Sequence, residues 1–193
     1  MGNAVSQGSE RYFEALSEQR AETLRGRLER AAENSQAHEQ ISRTLESADA
    51  ALVERIHALG FDGDSARVFD LLPLVFISWA DGKVQRAERR TIASLLERRG
   101  IEPESDAAAL IVTLLDAPPP QAFVKEALRV LGALLGEGAR GQEVVEYCVQ
   151  VAEASGGLLG FGNKVDAREA DAIRRVAEGL GEEALAAFSH TLS

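Results

Sequence analysis

A chain of 193 residues has the length of one domain, or of a domain with an extension, and is long enough to bury a sizeable core without staples. Its formal net charge of −10 argues against broad nucleic-acid binding, which needs a basic footprint, and against general adhesion to anionic lipid. The single cysteine, Cys148, excludes a disulfide framework and a thiolate metal cluster and fits a reducing, cytoplasmic setting.

Ala, Leu, Glu and Arg dominate over scarce aromatics, a composition of helix formers. Residues 1–8 are expected to be disordered. The Met1-Gly2-Asn3-Ala4-Val5-Ser6 start fits the loose myristoylation pattern, which is short and read as chance. The N-terminus lacks a basic stretch followed by an apolar core, so no secretory signal is expected. Residues 9–60 read as an N-terminal helical hairpin or arm. Phe13, Leu16, Leu24 and Leu28 stand at helical spacing, and Asn34-Ser35 reads as a cap. A stronger stripe follows: Ile41, Leu45, Ala48, Leu52, Ile56 and Leu59, closed by Gly60. Its two alternatives are packing on the main body and a self-associating or partner-binding face through Leu45, Leu52 and Ile56.

Residues 61–193 read as the helical domain. Phe61 to Ser65 forms a turn in which Asp64 or Ser65 caps the next helix. It is not a calcium loop, because Arg67 and Pro73 stand where glycine and a bidentate glutamate belong. Residues 66–80 are apolar nearly all round and predict the central buried helix, kinked or restarted at Pro73. The longest apolar run, Leu71 to Ala80, carries Pro73 and Ser78 and is too short to span a membrane. Further helices are predicted over 86–99, with Ile92, Leu95 and Leu96 inward, then from Ser105 or Asp106 to Leu115, and over 123–135. Three more follow, over 142–154, 166–180 and 182–192. Cys148 lies among Val144, Val145, Tyr147 and Val151, the setting of a buried inert thiol. No stretch alternates at period two, so no sheet is predicted.

Two segments share one pattern. Lys83-Val84, Glu88, Ile92, Leu95, Glu97 and Gly100 recur 81 residues later as Lys164-Val165, Glu169, Ile173, Val176, Glu178 and Gly181. Each follows an apolar helix ending in alanine, Ala80 or Ala154. Two such helix pairs packed back to back would bury a common core around a pseudo-two-fold axis.

Ala80-Asp81-Gly82-Lys83-Val84, then Glu88 and an Ile-x-x-Leu-Leu helix, resembles the signature of the TerB-like, tellurite-resistance family. The glycine-rich loop, Lys164-Val165-Asp166, Glu169 and residues 177–181 resemble that family's second half. The resemblance covers roughly residues 65–192. It implies an all-α, compact helical bundle with two pseudo-repeated helix pairs, here preceded by the N-terminal arm. It also implies a link to stress-resistance gene sets, with a related domain in a membrane-tethered co-chaperone, and acidic motif residues suggested to bind metal.

Asp81, Glu88 and Glu169 are the candidate metal ligands. Their hard oxygens suit calcium, magnesium or manganese, although no cofactor is required by the pattern. The competing role is local. Asp166 with Glu169 has capping-box spacing, Gln85 with Glu88 fills it less well, and Asp-Gly is common turn chemistry. Symmetry also fails at one point. Ser155 stands at the place of Asp81, with seven extra residues before Lys164 when Ala154 is set against Ala80. In the loop from Gly156 to Asn163, Leu158, Leu159 and Phe161 either plug the core or present an apolar contact to a protein partner or membrane edge. It is not a phosphate loop. His38, His57 and His190 are far apart in sequence, and neither a nucleophile elbow nor a metalloprotease histidine pair is present. The expectation is a non-enzymatic, stress-response interaction module with protein partners and no nucleic acid. Metal sensing and self-association through the N-terminal helices are the alternatives.

Overall fold

The computed structural model describes residues 3–47, 49–135, 139–156, 165 and 167–191. Among them the protein is all-α, with no strand. The helices are α1 (Asn3–Leu45), α2 (Ala50–Ala58), α3 (Leu72–Ser78), α4 (Arg86–Arg98), α5 (Asp106–Asp116), α6 (Gln121–Leu135), α7 (Ala139–Gly156), α8 (Ala167–Leu180) and α9 (Glu182–Thr191). A 3-10 segment, Ser65–Leu71, leads into α3.

The N-terminal region departs from expectation in three ways. α1 already runs from Asn3, inside the segment expected to be disordered. It passes through Asn34-Ser35 without a break, because strong helix formers flank both sides. The chain turns instead after Leu45. Glu46 adopts a positive φ of 51°, and the Asp49 carboxylate accepts the Ala51 and Leu52 N–H groups to start α2.

The stripe expected on one face therefore folds over a corner, and it faces inward. Ile41, Val53 and Ile56 are buried, while Leu45, Leu52 and Leu59 pack against the core. Leu45, Leu52 and Ile56 thus form the seam between arm and body, not an outward contact face. Phe61 extends this seam with edge-on contact to Phe69 and stacking on Phe123, their ring centroids 5.0 and 6.5 Å away. The Thr44 hydroxyl donates to the Gly63 carbonyl at 2.8 Å. The first part of α1 behaves differently. From Glu18 to Gln36 it is exposed except at half-buried Ala21 and Gly26.

The capping role foreseen for Asp64 or Ser65 falls to Asp62, whose carboxylate accepts from the Ser65 N–H and hydroxyl at 2.9 and 2.7 Å. Asp64 turns to another helix and accepts the Ala107 N–H in the first turn of α5. Ser105 caps that helix through the Ala108 N–H. Pro73 falls in the first turn of α3, where its missing N–H costs nothing, so the apolar stretch restarts there.

α3 is buried at every position except half-buried Phe76, and it packs against α5, α6, α7 and α8. α4 packs on α7, and α3 on α8, so each repeated pair embraces the other crosswise. Gly100 and Gly181 close α4 and α8 with φ of 66° and 110°, a matched pair of left-handed stops. The Trp79 indole donates to the Leu114 carbonyl at 3.0 Å, which fixes the end of α3 against α5. Arg99 donates to both oxygens of Asp70, and its guanidinium lies 5.6 Å from the Tyr147 ring centre, so α4 is tied to the 3-10 segment and to α7.

α6 and α8 cross at glycines. A Cβ on Gly132 would lie 2.2 Å from the Gly179 carbonyl oxygen, so only glycine permits this approach. Gly132→Ala is expected to destabilise the protein by about 1–3 kcal/mol through forced separation of the helices. Gly26→Ala, with nothing near its Cβ position, is expected to gain up to ~1 kcal/mol of helix propensity. Denaturant midpoints of the two variants should move in opposite directions.

Candidate functional site

The two repeated helix starts place their glutamates inside the body. After α3, the Asp81 carboxylate accepts the Lys83 N–H at 3.1 Å, and Gly82 turns the chain with φ of 89°. Half-buried Val84 packs on the core and leads into Gln85, the N-cap of α4. Glu88 stands three positions on, and its Oε2 accepts the Gln85 N–H at 2.6 Å. Glu88 is only 2% exposed and Glu169, at the same place in α8, 4%. Val165 packs on the core as Val84 does.

Burial is the largest influence on Glu88, and it pushes the carboxyl up to about 7. The Gln85 N–H opposes that rise, whereas the negative charges of Glu169 and Asp81 add to it. Two candidate ligands of the sequence, Asp81 and Glu169, therefore act electrostatically on the third, Glu88. The capping and clustering roles are not exclusive for Glu88, because one oxygen closes the helix end while the group feels both neighbours. A carboxyl near 7 exchanges its proton at neutrality, and a cation nearby would favour the charged form. Among the described residues, no three His, Cys, Asp or Glu side chains are grouped so as to hold a metal ion by themselves.

The other sequence candidates are dispersed. Leu158, Leu159 and Phe161 lie outside the described residues, as do Lys164 and Asp166. Ser155 falls in the last turn of α7. Cys148 is fully buried and its thiol is pushed up by that burial, which makes it inert at neutral pH. Two histidines that looked unrelated in sequence meet. His38 Nε2 and His57 Nδ1 are 3.2 Å apart, with the rings edge to face. Their positions, eight residues either side of the Glu46–Asp49 corner, pair them once the chain turns there.

The family model described as Tellurite resistance protein TerB matches residues 72–187, which takes in Asp81, Glu88 and Glu169 and leaves out α1 and α2. No curated protein and no solved structure matches the chain. No helix among the described residues is long and apolar enough to cross a membrane.

Glu88 predicts a specific pH dependence. Its folded value of about 7 lies above the ordinary 4.5, so the folded chain holds a proton that the unfolded chain releases between the two. Its contribution to stability is complete below pH 4.5 and is lost as pH rises through about 7, on the order of 3 kcal/mol in all. Glu88→Gln keeps an acceptor for the Gln85 N–H but cannot ionise. Chemical denaturation across this range should show wild-type stability falling relative to the variant. Parallel curves would mean that Glu88 does not titrate there.

Proposed function

Because this chain belongs to the TerB family of tellurite-resistance proteins, we propose that it is a non-enzymatic, cytoplasmic stress-response interaction module whose helical body responds to a divalent cation at Glu88 and Glu169. The observation that carries the cation response is a pair of like-charged groups, each buried at the start of a repeated helix, with Asp81 adding to their repulsion. Unrelieved, that arrangement disfavours ionisation of Glu88. A calcium, magnesium or manganese ion suits these oxygens, and water would supply most of its shell. Binding would charge Glu88 fully and remove the repulsion across the pseudo-axis. The response is then a tightening of the two helix pairs, a change that a partner protein can read.

Calorimetric titration of the full chain with each of the three ions tests this reading. Binding near pH 7 should release protons from Glu88, so the measured heat should vary with the buffer's ionisation enthalpy. Glu88→Gln should abolish the proton release, and Asp81→Ala should weaken binding. Absence of heat with all three ions, or heat indifferent to both substitutions, would sink the cation response.

A second reading concerns the arm. Leu24 and Leu28 are 56% and 71% exposed, one turn apart on the solvent-exposed stretch of α1. Apolar side chains one turn apart on a projecting helix suit a helical protein partner or a second copy of the chain. The seam from Ile41 onward belongs to the core, so a truncation that stops short of Ile41 leaves the body whole. Removal of residues 1–36, or Leu24→Arg with Leu28→Arg, should leave the melting temperature nearly unchanged while reducing light-scattering mass or partner capture. Unchanged mass and capture would reduce the arm to a solvated extension.

A further inference from the structure

α1 meets the body where His38 faces His57 of α2, and this contact holds two imidazole nitrogens 3.2 Å apart. Two nitrogens bound at about 2.0–2.1 Å to one tetrahedral ion stand roughly 3.3–3.4 Å apart. The two nitrogens share a hydrogen bond, one donating to the other, and their separation is close to that of two ligands on a single ion. Binding would move the donor ring's proton to its other nitrogen and leave a lone pair on each. Both histidines are half-buried, so they are held by packing yet open on one side to solvent. Each is anchored. Ile41, one turn beyond His38, is fully buried, as is Ile56 beside His57. A pair fixed on two separate helices loses little freedom on binding, which is the advantage of a preformed chelate.

The surroundings suit a cation. The chain carries a net charge of −10, and Glu39 lies next to His38, its charge partly taken by Arg43. No third His, Cys, Asp or Glu joins the pair in a metal-holding group among the described residues, so water completes the shell. Imidazole ligands of this kind select zinc, copper or nickel ions over the hard cations that suit carboxylates.

We propose that His38 and His57 form a two-imidazole site for a first-row transition metal ion, zinc(II) or copper(II) in class, which clips the N-terminal helix to the body. The site is separate in place and ligand chemistry from the Glu88–Glu169 pair. Occupancy stabilises the docked arrangement of α1 on α2 by mass action, because neither isolated helix offers both nitrogens. Metal would then set how rigidly the exposed stretch of α1 projects from the body.

The full chain, freed of metal with chelator, should bind one equivalent of zinc by calorimetry and melt at a higher temperature with zinc than without. Copper(II) bound at one equivalent should show two coupled nitrogens by electron paramagnetic resonance. His38→Gln and His57→Gln should each weaken binding by at least the ~10-fold that even outer-shell changes produce. The nitrogen count on the unaltered chain decides the matter even if a variant folds poorly. One coupled nitrogen or none, or affinity that survives both histidine substitutions, would each overturn the proposal.

Discussion

A glutamate at the third position of α4 must close the helix end, and the same residue lies inside the body. Helix N-termini leave backbone N–H groups unpaired, and a carboxylate is the strongest acceptor available for them. Desolvation works the other way, since a buried charge is costly unless it is compensated. At Glu88 the two demands meet, and desolvation wins by enough to bring the carboxyl to about neutrality. Glu169 occupies the matching position in α8 and is likewise buried. The crosswise embrace of the repeated pairs follows. α3 lies in the centre, against both α7 and α8, and α4 packs on α7. Apolar groups at either position would satisfy the core and leave the helix ends open. A fully exposed glutamate would cap the helix and leave the core thin.

Much of this was legible in the sequence because it is periodic or local. The inward face of α4, the restart at Pro73 and the cap at Ser105 depend on residues within one or two turns of one another. The matching places of Glu88 and Glu169 at the starts of α4 and α8 were legible for another reason. A repeat at constant offset carries long-range information in a local form, since two equal units pack around an axis. Turn chemistry misled where several residues had equal claims. Asn34-Ser35 is a good cap in isolation, but the helix gains more by continuing. Ser47 and Asp49 open α2, a role that their neighbours' apolar spacing had hidden. Asp62 and Asp64 exchanged roles because the second found a partner 43 positions away.

That misplaced corner has a larger consequence than a shifted boundary. With a break near residue 34, the stripe from Ile41 to Leu59 is one long face, free to bind something outside. With the break at Glu46–Asp49, the same residues form two short faces of a hairpin, and both meet the body. The domain begins in energetic terms near Ile41, well before residue 72, where the family pattern starts. What remains outside is the stretch from Glu18 to Gln36, whose exposed leucines are few. The strong apolar stripe is consumed by the core, and the weak one on α1 stays exposed at Leu24 and Leu28.

The two sites differ in what they ask of a cation, and the difference follows from where the chain puts them. Glu88 and Glu169 are both buried at the starts of packed helices. The response proposed for Glu88 is therefore a change in protonation, with a tightening of the repeated pairs. His38 and His57 lie where the exposed stretch of α1 meets α2. The metal proposed there would clip that contact as it stands. On these proposals the first site would couple to the closing of the body and the second to how rigidly the arm projects. A protein with both would sense two classes of cation through different mechanical outputs, tightening in one case and stiffening in the other.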